Sequence, residues 1–127
     1  MFHYTVTSDK TIEAVVHSLE ENLKEEKFGV LWKFDVKDTL NNKGFDFDQP
    51  YLILEVCNPK EAHDMLHENQ MVGYFLPCKL VVYKDGDQTK LGMPRPTELI
   101  QLVSDPSLND KAKEIEDRLI NVLNKSK

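Results

Sequence analysis

Two cysteines, an Asn-Pro pair and two histidines four residues apart are the side chains of this sequence whose types and spacing could do chemistry. Cys57 closes the run YLILEVC and is followed at once by Asn58 and Pro59. Asparagine at a helix N-cap accepts from a free backbone N–H, and proline suits the first helical position because its missing donor would go unused there. The pair therefore sets Cys57 just ahead of a helix N-terminus, where the positive end of the dipole lowers a thiol's pKa. Glu55, two residues back on the same face, pushes the other way. Free cysteine is among the most buried residue types, so packing is favoured over reactivity. His63 and His67 share one face of the next helix, a spacing that can hold zinc or nickel once a third ligand arrives. Asp64 and Glu68 fall on another part of that surface, so an exposed polar stripe is the plainer expectation. Arg95, held between Pro94 and Pro96, could offer a guanidinium to a carboxylate or phosphate, although a loop arginine at the surface explains it as well. With five glycines and no Gly-rich phosphate loop or nucleophile elbow, the sequence identifies no catalytic residue and no cofactor.

These side chains must be positioned by a small number of elements. FHYTVT alternates apolar and polar residues and predicts a half-buried strand over 2–7. Ile12, Val15, Val16, Leu19 and Leu23 then recur at helical spacing, with Ser8 or Asp9 as the expected cap. A second strand is expected at 28–36, with Val30, Trp32, Phe34 and Val36 on one face and Leu31, Lys33 and Asp35 on the other. KDTLNNKGF predicts one helical turn ended by Gly44. Residues 51–57 form a third strand, with Leu52, Leu54 and Val56 opposite Tyr51, Ile53, Glu55 and Cys57. The helix opened by Asn58 carries Ala62, Met65 and Leu66 on its inner stripe. A fourth strand over PCKLVVYK turns at Asp85-Gly86 into a fifth near 89–93, and MPRP ends it. A short helix at 97–103 and a long one with Leu108, Ala112, Ile115, Leu119, Val122 and Leu123 inward complete the chain.

Strand, helix, two strands, helix, two strands and helices read as an α+β two-layer sandwich. A largely antiparallel sheet carries helices on one face, in split strand–helix–strand order as in ferredoxin-like folds. At 127 residues the chain suits one domain, 1–127, with a core that needs no staples. Parity leaves Thr5, Thr7, Lys33, Asp35, Tyr51, Ile53, Glu55, Val81 and Tyr83 on the other face. Such a mixed surface suits a homodimer or ligand interface, unless the C-terminal helix covers it. Cys78 falls on the core face with Leu80 and Val82, opposite to Cys57, so a disulfide between them is not expected.

Sixteen Lys and Arg against 22 Asp and Glu give a net charge of −6. An acidic surface repels phosphate backbones, which argues against nucleic acid as a partner. The N-terminus lacks the pattern of a secretory signal, and no apolar run is long enough to span a membrane. A cytoplasmic protein with two free thiols is the expectation.

EVCNPKEA and LPCKLVVY together resemble the two signature segments of a small prokaryotic family, domain of unknown function 302. The matching positions are Cys57, Asn58, Pro59 and Ala62 in the first, and Leu76, Pro77 and Cys78 in the second. The spacing between them and the flanking helices are similar too. The resemblance implies a two-layer α/β fold and homodimers, and it implies no activity. A shared site, on this resemblance, lies around Glu55, Cys57, Asn58 and Cys78; His63 and His67 match no signature position. Two functions follow as expectations: a module binding a small ligand or its own copy at the strand ends near Cys57, or a thiol-based redox or metal-handling protein using Cys57 and Cys78.

Overall fold

The five expected strands join in one antiparallel sheet of order β1-β5-β4-β3-β2, where β1 is His3–Ser8, β2 Gly29–Asp35, β3 Tyr51–Cys57, β4 Cys78–Asp85 and β5 Gln88–Pro94. The computed structural model describes residues 1–127 throughout. The helices are α1 (Ile12–Glu25), α2 (Val36–Asn42), α3 (Pro59–Glu68), α4 (Pro96–Ile100) and α5 (Asn109–Ser126), with 3-10 turns at Gln70–Phe75, Gln101–Val103 and Pro106–Leu108. This is the α+β fold that the order of elements predicted. The first strand–helix–strand unit is split: β1 and β2 lie at opposite edges with three strands between them. The second is not ferredoxin-like, because β3 and β4 are antiparallel neighbours.

One face of the sheet buries the apolar stripes of two helices. Ile12, Val15, Val16, Leu19 and Leu23 of α1 and Ala112, Ile115, Leu119, Val122 and Leu123 of α5 meet Leu54, Val56, Leu80, Val82, Leu91 and Met93 in one cluster. Thr11, not Ser8 or Asp9, caps α1, its side chain accepting from the Ala14 N–H. Ser8 is still part of β1, where it pairs with Thr89.

Strand β2 departs from simple alternation. Val30 pairs with Val56, but Trp32 pairs with Glu55, so Leu31 is an extra residue in the ladder. A bulge of this kind reverses the parity of everything after it and is common on edge strands. Trp32 and Phe34 therefore stand on the face of Glu55 and Ile53, where alternation had placed them with the core. Lys33 moves to the helix side and bonds Glu20 of α1 at 2.7 Å.

The C-terminal helix does not cover the other face, since α5 packs beside α1 on the core side; at its Tyr51 end, Phe47 from the segment after α2 packs edge-on against Tyr51. Trp32 and Phe34 stack with centroids 5.2 Å apart, and Tyr51 and Tyr83 do the same at 5.2 Å. Ile53 and Val81, paired across β3 and β4, continue this surface, and Trp32 is 54% exposed. No helix is long and apolar enough to cross a membrane.

Candidate functional site

The twenty residues between β3 and β4 leave and re-enter the sheet at one point, because Val56 pairs with Cys78. α3 carries the chain out, and the 3-10 turn Gln70–Phe75 brings it back to Pro77. α4 and α5 close the opposite side. Between them lies a pocket of about 220 Å³ with 22 lining residues, of which 16 are hydrophobic. Val56, Met65, Val72, Ile115 and Leu119 are among its buried walls.

Cys57, Asn58 and Cys78 all line this pocket. Glu55 does not; it stands on the open face, where Lys79 bonds it at 3.1 Å. Asn58 bonds through both ends of its amide. Its Oδ1 accepts from the Glu61 N–H at 3.2 Å, as an N-cap should, and its Nδ2 donates to the Glu26 carbonyl at 3.1 Å. The Asn-Pro signature thus ties the start of α3 to the end of α1, and Asn58 keeps one amide hydrogen beyond these bonds.

Both thiols are free. Register runs unbroken from Tyr51↔Tyr83 to Val56↔Cys78, so no bulge near Pro77 alters the parity of Cys78. Burial, followed by the neighbouring Cys57, pushes the Cys78 thiol up from 9.0 to about 11. A thiol raised in the folded state stays protonated while the unfolded chain ionises. Stability should therefore be unaffected below pH 9, fall as pH rises from 9 to 11, and level off above. Over that window the loss is about 3 kcal/mol at most. Urea denaturation of wild type and Cys78→Ala at pH 8, 9.5 and 11 should show the gap between them shrinking; a constant gap would refute the shift.

Beside the pocket sits a cluster that sequence reading missed. Glu61, in the first turn of α3, is only 5% exposed. Lys111 of α5 stands 3.3 Å from its Oε2 and Arg118 3.5 Å, but that buried oxygen has no directed hydrogen bond. Arg118 also donates to Glu26 Oε1 at 2.9 Å and to the Glu26 carbonyl, with its guanidinium 5.4 Å above the Phe28 ring. A second buried carboxylate, Glu116 at 3% exposure, accepts from the Thr97 N–H and hydroxyl and lies 3.5 Å from Arg95 Nε. Thr97 thereby ties α4 to α5, and Arg95 is turned toward Glu116 with its buried Nε making no directed hydrogen bond. The signal for both acids was their spacing: Glu61 lies four residues before Met65, and Glu116 four after Ala112, on core-facing stripes.

His63 and His67 stand on the outer side of α3 with ring centroids 4.3 Å apart. A hydrogen bond from His63 and then one from Lys60 hold the Asp64 carboxyl at about 2. No three histidine, cysteine or carboxylate side chains converge on a point that could hold a metal ion.

The sequence matches the family described as Domain of unknown function DUF302 over residues 4–126, and the chain belongs to that family. Among solved structures it is similar to the crystal structure of an uncharacterised conserved DUF302 protein from Bacillus stearothermophilus. Identity is 52% and the TM-score 0.97, over 100% of this chain and 99% of that one. No curated protein matches it.

Proposed function

We propose that this chain is a small-ligand-binding domain whose ligand occupies the apolar pocket at the strand ends beside Cys57 and Cys78. The pocket itself carries this reading. Protein interiors hold few voids larger than a water molecule. A concavity of about 220 Å³ lined mainly by hydrocarbon departs from that rule, and the apolar surface it leaves to water is available to a ligand. A concave, mainly apolar site at the junction of several elements is where ligands are commonly bound. A cytoplasmic setting would keep both thiols reduced. A fragment screen followed through methyl NMR shifts is the direct test. Saturable shifts confined to Met65, Val72 and Ile115 support the reading, and a screen without them removes it.

The redox alternative needs a thiolate at neutral pH, and Cys78 is held protonated well above that. Its remaining support is Cys57, and slow alkylation of native Cys57 below pH 8 would end it.

A second reading, self-association, rests on the uncovered sheet face. Two stacked aromatic pairs joined by Ile53 and Val81 make a continuous apolar strip, and such strips mark interfaces. A stable homodimer needs about 800 Å² from each partner, so the loops flanking the sheet would have to join the strip in the contact. Tyr51→Lys puts a charge at one end of the strip, opposite Tyr83. Sedimentation should show it shifting a wild-type dimer toward monomer, with a dissociation constant raised on the order of a hundredfold. A wild type that sediments as monomer, or a dimer indifferent to the change, removes this reading.

A further inference from the structure

Resting on that ligand-binding reading, we infer that the pocket takes an uncharged, largely hydrocarbon molecule of about nine non-hydrogen atoms, the size class of a fused bicyclic ring such as indole. Volume sets the size. An apolar cavity of about 150 Å³ holds benzene, and scaling benzene's carbons to the 220 Å³ found here gives about nine atoms. The pocket is smaller than the roughly 300–1,000 Å³ of sites that take drug-sized ligands. The part of a larger ligand beyond this volume would lie outside the walls, toward Tyr74, which stands 84% exposed among the lining residues.

The state of the lining polar groups sets the charge. Asn58 is neutral; its carbonyl oxygen accepts from the Glu61 N–H and one amide hydrogen goes to the Glu26 carbonyl, so it offers a ligand at most one uncharged donor. Glu61 is already opposed by Lys111 and Arg118, and its Oε2 is out of contact with solvent, so a ligand in the pocket meets the carbon side of this cluster. The Lys79 ammonium is bonded to Glu55. Cys78 presents a protonated thiol, which packs as a small apolar group. A charged ligand would lose its hydration and find no free counter-charge, a penalty that hydrocarbon walls cannot offset.

The test uses three probes of similar size, namely indole, benzoate and benzylammonium, titrated into the whole protein and into Ala62→Phe. Ala62 is a half-buried residue of the pocket wall, so a phenyl group there fills the space from a helix surface that can adjust. Indole should bind saturably to wild type, with affinity on the order of tenfold or more above either ion, and should lose that binding in the variant. Methyl shifts at Val72 and Ile115 report occupancy without any substitution, so a poorly folded variant does not decide the result. If benzoate or benzylammonium matches indole with shifts at the same methyls, the inference about ligand class falls while the binding site stands. If none of the three moves those methyls, the inference falls. Failure of the wider fragment screen as well is what removes the site.

Discussion

Arg118→Ala is expected to destabilise the protein by about 3 kcal/mol, the lower end of what breaking a buried charge cluster costs. Arg118 is the only side chain that touches both acids at the seam between α1, α3 and α5: it bonds Glu26 at 2.9 Å and stands 3.5 Å from Glu61. Its removal leaves Glu61 buried against Lys111 and the exposed Lys60 at 3.9 Å, and the Glu26 carbonyl with Asn58 as its one side-chain donor. It also strips the cover from Phe28, which lines the pocket. The lower end is the right choice because Arg118 keeps 23% of its side chain in solvent. Lys113→Ala serves as the control. Its bond to Asp117 is short at 2.7 Å, but both partners are more than half exposed, and such a pair contributes about 0.5 kcal/mol or less. Arg118→Lys should fall between the two, since it keeps the charge and loses the fork that reaches Glu26 twice. Urea denaturation with equal slopes would give all three differences. A loss in Arg118→Ala no greater than that in Lys113→Ala would show that the cluster behaves as ordinary surface charge.

That cluster also marks the limit of what the sequence could tell. Alternation located β3, β4 and their core-facing Leu54, Leu80 and Val82, because a strand's period is a local property of the chain. The helix start at Asn58-Pro59 was legible for the same reason. Its second bond, from Asn58 to the Glu26 carbonyl, was not, since it depends on how the chain turns after α1, where Lys27 adopts φ 66°. The bulge at Leu31 was invisible in a run of apolar residues, FGVLW, which tolerates either parity. One extra residue there moved Trp32 and Phe34 from the expected core to the open face. The pocket was beyond reach for a further reason. A void is what remains after α3, α4, α5 and the sheet have packed, and no local pattern encodes it. The signature residues pointed to the right corner of the molecule, although Glu55 belongs to the opposite surface and Asn58 is committed to holding the corner together.

Gly92→Ala should destabilise the protein by about 2–3 kcal/mol, the upper part of the range for overpacking. Gly92 sits in β5 between Thr5 of β1 and Val81 of β4, in the middle of the sheet's open face. A Cβ built there would lie 2.5 Å from Thr5 Oγ1, 2.9 Å from the Tyr4 carbonyl oxygen and 3.1 Å from Thr5 Cβ. Backbone conformation is not the obstacle, because this glycine is not in the left-handed region; the space is. The Thr5 hydroxyl can rotate away at the loss of its 2.9 Å hydrogen bond to His3, but the Tyr4 carbonyl is part of the β1–β5 ladder and can move only with the strand. Thr5→Ala in the same chain removes the closest clash and leaves the other two. The double variant should therefore recover about 1 kcal/mol of the loss and no more, a coupling that a double-mutant cycle resolves. Full recovery would assign the whole effect to the hydroxyl. No loss in the single variant would show that β1, an edge strand, slides freely against β5. In that case the open face could not be a rigid surface, and the self-association reading would fail with it.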